Sequence, residues 1–76
     1  MTKHTDDIFV AEVMGCCFSQ ARTIEQITDR IYKNQYAKNI VRVYQCVMVL
    51  MKHGIMVPKV KGRILMFEVN QEAFKK

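Results

Sequence analysis

Residues 37–69 read AKNIVRVYQCVMVLMKHGIMVPKVKGRILMFEV. The first half of this stretch has apolar residues at the three- and four-residue spacing of a helix with one buried face, which predicts a long helix over about 37–53. The glycine at position 54 suits the left-handed conformation in which many helices end. Two apolar runs over about 55–69, joined by a Lys-Gly-Arg turn, predict a two-stranded antiparallel hairpin. The helix positions that we expect in the core are Ile40, Val43, Val47 and Leu50.

Two further helices are predicted before this stretch. Thr5 and the two acids after it favour a helix start, and apolar residues on more than one face continue that helix over about 5–18. A second helix, over about 23–33, begins with the capping-box pattern Thr23-Ile24-Glu25-Gln26. A chain of 76 residues has room for one hydrophobic core. We therefore predict a single domain over 1–76 that is mainly α, with three helices and a small β-hairpin.

The charge of the chain is concentrated in its second half. Residues 1–31 carry three Lys or Arg against five acids, whereas residues 32–76 carry nine against two, so the net charge of +5 combines −2 and +7. A positive helix followed by a positive hairpin suits duplex DNA, because the helix can enter the major groove while the ribbon lies along phosphates. The competing interpretation is that the charged face of the helix is only exposed to solvent and binds no partner.

The long helix carries a polar face beside its apolar one. Arg42 and Gln45 are residue types that read base edges, since arginine can form two hydrogen bonds with guanine and glutamine can form two with adenine. Lys38 and Lys52 are suited to phosphates, as point charges without planar geometry. The lysines near the hairpin turn could also serve to keep the sheet edge from aggregating. The residues predicted to contact the DNA backbone are Lys38, Lys52, Lys59, Lys61 and Arg63.

Three segments between residues 23 and 69 share a pattern with a known family. They are the capped helix start Thr23-Ile24-Glu25-Gln26-Ile27, the helix exit Leu50-Met51-Lys52-His53-Gly54-Ile55-Met56, and the strand Arg63-Ile64-Leu65-Met66-Phe67-Glu68-Val69. Together they resemble a winged helix-turn-helix domain. The resemblance implies a third helix that lies in the major groove and a two-stranded wing on the backbone or minor groove. Winged helices also bind proteins, so a module whose basic face meets an acidic partner is the alternative.

The first helix predicts a homodimer, because it presents more apolar surface than a core of this size covers. Two copies would read two DNA half-sites about one helical turn apart. The competing interpretation is that the chain's own core covers both sides of the helix. The expected interface residues are Phe9, Val10, Val13, Met14, Cys17 and Phe18.

Other classes of function have weaker support in the residues. Three cysteines, two of them adjacent, make a poor disulfide framework and indicate a reducing cytoplasm. Zinc would need His53 or His4 beside them, but no Cys-x-x-Cys or His-x-x-x-His spacing is present. Cys17 and His53 could act as nucleophile and base, although no glycine-rich phosphate loop or catalytic triad accompanies them. Tyrosines could stack on unpaired bases, but on helices they more often pack in the core or at its rim.

The sequence thus predicts a small transcriptional regulator that binds specific double-stranded DNA. We expect no enzymatic activity, metal, cofactor or small-molecule ligand. The longest apolar run is far shorter than the roughly 20 residues that span a bilayer, so we expect no contact with a membrane.

Overall fold

The computed structural model describes residues 3–74 of the chain, with side chains from residue 7 onward. Three helices are followed by a two-stranded antiparallel hairpin and a final turn of 3-10 helix. The predicted mainly helical fold is confirmed, and its arrangement is compatible with a winged helix. The elements are α1 (Lys3–Cys17), α2 (Ile24–Tyr32), α3 (Ala37–Lys52), β1 (Met56–Lys61), β2 (Ile64–Val69) and the 3-10 turn (Gln71–Phe74).

α1 begins two residues before its predicted start, and its end at Cys17 lies within one residue of the predicted end. The helix begins at Lys3, so Thr5 lies inside it and the predicted cap at Thr5 is wrong. At the other end, the guanidinium Nε of Arg22 donates a hydrogen bond to the carbonyl oxygen of Cys16 at 2.6 Å. A positive charge is favourable there, because the last carbonyls of a helix lack amide partners and carry partial negative charge. Arg22 therefore fixes how the chain leaves α1.

The predicted capping box at the start of α2 is confirmed. The amide of Gln26 donates to the hydroxyl of Thr23 at 3.1 Å, and the amide of Thr23 donates to the side-chain oxygen of Gln26 at 3.0 Å. Each bond satisfies an amide that the first turn of a helix leaves without a partner. The local sequence alone therefore determines where α2 begins.

Asn34 organises the connection between α2 and α3. Its side-chain oxygen accepts hydrogen bonds from the amide of Tyr36 at 3.1 Å and from the side chain of Asn39 at 2.9 Å. Its amide nitrogen donates to the carbonyl oxygen of Tyr32 at 3.0 Å. Lys33, just before it, takes the left-handed conformation with φ of 62°. These bonds fix the direction in which α3 leaves α2.

The core lies where the three helices meet the inner face of the hairpin. α1 packs on α2, α3 and β2, while α3 also packs on α2 and β1. Three of the four predicted α3 core residues are buried, but Ile40 is only half-buried because it lies at the edge of a groove beside β2. The buried apolar residues of the described chain are Val13, Cys17, Ile27, Val43, Val47, Leu50, Met56, Phe67 and Val69.

β2 pairs with the chain on both sides near its C-terminal end. β1 pairs with it in antiparallel register over the full length of both strands. On the other side, the amide of Arg22 donates to the carbonyl of Phe67 at 3.0 Å, and the amide of Phe67 donates back to the carbonyl of Arg22 at 2.8 Å. The segment between α1 and α2 thus adds a one-residue strand that the sequence did not predict. It ties the hairpin to the helices.

Candidate nucleic-acid interface

α3 presents an exposed face with cations at its two ends. Helical geometry places five exposed residues of this face within about 80° of the helix circumference. No Asp or Glu occurs in α3, so no carboxylate on this helix opposes those cations. We call this face the α3 stripe, and it consists of Lys38, Val41, Gln45, Val49 and Lys52.

The predicted residues Lys38, Gln45 and Lys52 thus lie together on one exposed face, in the order cation, amide, cation. Val41 and Val49 lie between them and were not predicted as site residues. Both valines are about half exposed, at 51 % and 54 %. The stripe is therefore mixed, with apolar groups between its polar ones.

Arg42 does not belong to the α3 stripe. Its guanidinium carbon lies 4.8 Å from the centroid of the Phe9 ring on α1, and its side chain is half-buried. Both residues line a cleft between α1 and α3, together with Val10 and Cys46, and Gln45 and Val49 of the stripe line the same cleft. A cation over an aromatic face is held by the ring's electron density, so Arg42 is engaged with α1 while the neighbouring Gln45 is exposed. That Arg42 reads bases beside Gln45 stays a prediction. Arg42 connects α3 to α1.

The β1–β2 hairpin, which we call the wing, carries three predicted cations on different sides. Lys59 and Lys61 line a cleft on one side of the hairpin, whereas Arg63 lines the groove between the hairpin and α3. The Lys59 ammonium also lies 3.1 Å from a carboxylate oxygen of Glu68 on the neighbouring strand. The three cations therefore do not share one surface, and Arg63 is the one that lies beside α3.

An apolar groove separates α3 from the wing. It continues the apolar surface of Val41 towards β2, and four of its side chains are about half exposed. Ile64 and Leu65 could be assigned to a strand from the sequence, but not to a surface shared with α3. We call it the α3–wing groove, and its apolar residues are Ile24, Ile40, Val41, Tyr44, Ile64, Leu65 and Phe67.

The predicted dimer residues on α1 divide into buried and accessible ones. Val13 and Cys17 are fully buried in the chain's own core, so the prediction that they contact a second copy is corrected. Three others are half-buried and pack against that core, namely Phe9, Val10 and Met14.

Phe18 remains about half exposed beside the ring of Phe74, at a centroid distance of 6.4 Å. Ile8, which the sequence did not single out, is 52 % exposed on α1. Ala11 and Gly15 are exposed on the same helix. Of the predicted residues Phe18 thus stays accessible, and the exposed Ile8, Ala11 and Gly15 of α1 were not predicted.

The structure also bears on the hypotheses of a cysteine nucleophile, a metal site and a membrane contact. Burial raises the pKa of the Cys17 thiol to about 12, so this thiol is protonated at neutral pH and is unsuited to act as a nucleophile. Cys16, Cys17 and Cys46 are free thiols. Among the residues with described side chains, which exclude His4, no cluster of His, Cys, Asp or Glu could hold a metal ion. Within residues 3–74, no helix is long and apolar enough to cross a bilayer.

Comparison with family models, with curated proteins and with solved structures gives no match for this chain.

Proposed function

We propose that the chain binds double-stranded DNA through the α3 stripe and Arg63 of the wing, and that it regulates transcription by doing so. The observation that carries this proposal is the exposed face of α3, with a lysine at each end and no carboxylate on the helix. Such a face suits a polyanion, because each phosphate that a lysine neutralises releases condensed counterions.

The dimensions of the stripe fit a major groove. Lys38 and Lys52 are 14 residues apart, which corresponds to about 21 Å along the helix axis. This separation exceeds the groove width of about 12 Å, so the two lysines can reach phosphates beyond the base edges. Gln45 lies midway between them and can form two hydrogen bonds with adenine. The lysines at the two ends of the stripe can therefore contact phosphates and position the helix, while the amide between them can contact a base.

The test is a salt titration of binding to a random-sequence duplex, followed by fluorescence anisotropy. The double variant Lys38→Ala/Lys52→Ala should reduce the slope of log K against log salt by about two units, roughly one for each phosphate that is no longer neutralised. Arg30→Ala is the matched control, since Arg30 is an exposed cation in a cleft shared by α1 and α2. Equal slopes for the parent and the double variant would overturn the proposal.

We further propose that the DNA-binding form is a homodimer in the cytoplasm. The three free thiols agree with a reducing compartment of this kind. Ile8 of α1, and Phe18 just after that helix, would supply the contact in place of the predicted Val13 and Cys17. Sedimentation equilibrium at micromolar concentration tests this. Ile8→Glu should give a folded monomer, because a charge would be buried in the contact without a partner. A parent that stays monomeric would exclude the dimer.

The α3–wing groove favours a second candidate, a winged-helix-like module that binds a protein. Half-exposed Tyr44, Ile64 and Leu65 provide apolar surface of the kind found at protein contacts. Arg63 and Glu25 line the same groove, and Arg63 would pair with an acidic group of the partner. The same titration separates the two functions. A folded chain without affinity for duplexes at low salt would favour the protein-binding module.

A further inference from the structure

We propose that the α3 stripe reads A·T base pairs, through thymine methyl groups and the major-groove edge of adenine. This inference rests on the proposed binding of duplex DNA and names the substrate class of the same site. It arises from the residues between the two lysines, which are Val41, Gln45 and Val49.

The two valines restrict what the stripe can recognise. A valine side chain has no hydrogen-bonding group, so on a surface that faces base edges it can gain energy only by covering an apolar group. Among the four bases, only thymine presents such a group in the major groove, the C5 methyl. Val41 and Val49 are half exposed in the free chain, so their methyl groups are available for this contact.

Gln45 adds recognition of adenine, the other base of an A·T pair. It lies one helical turn from each valine, so successive side chains of the stripe are about 6 Å apart, or nearly two base-pair steps of 3.4 Å. The amide nitrogen of glutamine can donate to N7 of adenine while its oxygen accepts from the N6 amino group of the same base. Valine, glutamine and valine therefore match a short run of A·T pairs.

The position of Arg42 strengthens the preference. An arginine on the stripe could form the commonest specific contact with guanine, a pair of hydrogen bonds to O6 and N7. The guanidinium of Arg42 instead lies over Phe9 on α1. The stripe thus carries groups for thymine and adenine, with lysines at its ends that do not distinguish bases.

The experiment compares four duplexes of about 21 base pairs, roughly two helical turns. They are alternating A·T, the same duplex with uracil for thymine, alternating G·C, and G·C with 5-methylcytosine. Uracil removes only the methyl group, so the difference between A·T and A·U isolates that contact. The parent should bind A·T more tightly than A·U by about fourfold for each thymine methyl group that the valines cover. It should bind unmethylated G·C more weakly than A·T, and 5-methylcytosine should restore part of that loss because it returns a methyl group to the major groove.

Variants then assign the contact to the stripe. Val41→Ala/Val49→Ala should bind A·T and A·U with equal affinity, while its fold is retained because alanine favours helices. Val60→Ala is the matched control, since Val60 is a 69 % exposed valine on β1, outside the stripe. This control should keep the parent's discrimination between thymine and uracil.

Each outcome decides the inference. Equal binding of A·T and A·U by the parent, or tighter binding of G·C, would overturn the A·T preference and leave duplex binding intact. Discrimination that survives in Val41→Ala/Val49→Ala would overturn the role of the valines. A folded parent that binds none of the four duplexes at low salt would overturn both this inference and the proposed function.

Discussion

Replacing Arg42 with Met should reduce stability and leave base preference unchanged. The methionine keeps an unbranched side chain of similar length but removes the charge that lies 4.8 Å from the centre of the Phe9 ring. Cation–π pairs contribute about 0.5–1 kcal/mol at exposed sites and about 2 kcal/mol when desolvated. Both side chains are half-buried, so we expect the free energy of unfolding to fall by about 1 kcal/mol.

Urea denaturation and thermal melting measure this change. For a domain of 60–100 residues, about 1 kcal/mol lowers Tm by roughly 4–8 °C. A double-mutant cycle with Phe9→Leu separates the pair from other effects, because the two destabilisations should not add where the residues interact. Arg30→Met is the control, since it removes an exposed cation from α2 and should change stability little.

DNA binding by the same variant tests whether Arg42 reads bases. Its affinity for A·T and for random duplexes should fall by the same factor, since the substitution removes a positive charge near the helix but no group that reads bases. The reasoning is refuted if Arg42→Met is as stable as the parent and no longer discriminates between the duplexes. That result would place the guanidinium on DNA instead of on Phe9.

Four further predictions concern single residues. Thr23→Ala should cost about 1 kcal/mol in urea denaturation, because the first turn of α2 loses its cap; an unchanged midpoint would contradict this. Lys33→Gly should raise stability by up to about 1 kcal/mol in the same assay, since Lys33 has φ of 62°; a lower midpoint would mean that the Lys33 side chain stabilises more than its backbone strain costs. Burial raises the pKa of Cys17 from 9.0 to about 12, so the folded chain holds this proton more tightly than the unfolded chain, and stability should be full below pH 9 and fall as pH rises towards 12. Cys17→Ala should show a smaller fall over that range, and parallel curves for the two proteins would be evidence against this cause. Arg63→Ala should reduce the salt slope of DNA binding by about one unit and Lys59→Ala by less, because Lys59 pairs with Glu68 on the wing; the reverse order would contradict the assignment.

The parts of the fold that could be predicted depend on local chemistry. The start of α2 follows from a hydroxyl and an amide three residues apart, and both hydrogen bonds form. Gly54 and Gly62 take positive φ at the end of α3 and in the hairpin turn, where glycine has no steric penalty. The bridge between Arg22 and Phe67 could not be predicted in this way. It joins backbone groups 45 positions apart and depends on no particular side chain.

The candidate site shows the same division. Helical spacing correctly placed Lys38, Gln45 and Lys52 on one exposed face, because that placement needs only the period of the helix. It could not show that Arg42 packs on Phe9 or that Lys59 pairs with Glu68, since those partners belong to other elements. The charge of a residue is read directly from the sequence, but its availability depends on tertiary contacts.

The number of available cations explains why two copies of the chain are proposed. One copy offers three cations around α3, namely Lys38, Lys52 and Arg63, which correspond to a salt slope of about −2.7. A protein that makes about six to ten phosphate contacts loses about 10³–10⁵ in affinity between 50 and 200 mM salt, and one copy of this chain supplies fewer cations than that. A second copy doubles the contacts and reads a second half-site about one turn away. A measured slope near about −5 would therefore support a dimer on DNA, whereas a slope near about −3 would mean that single copies bind.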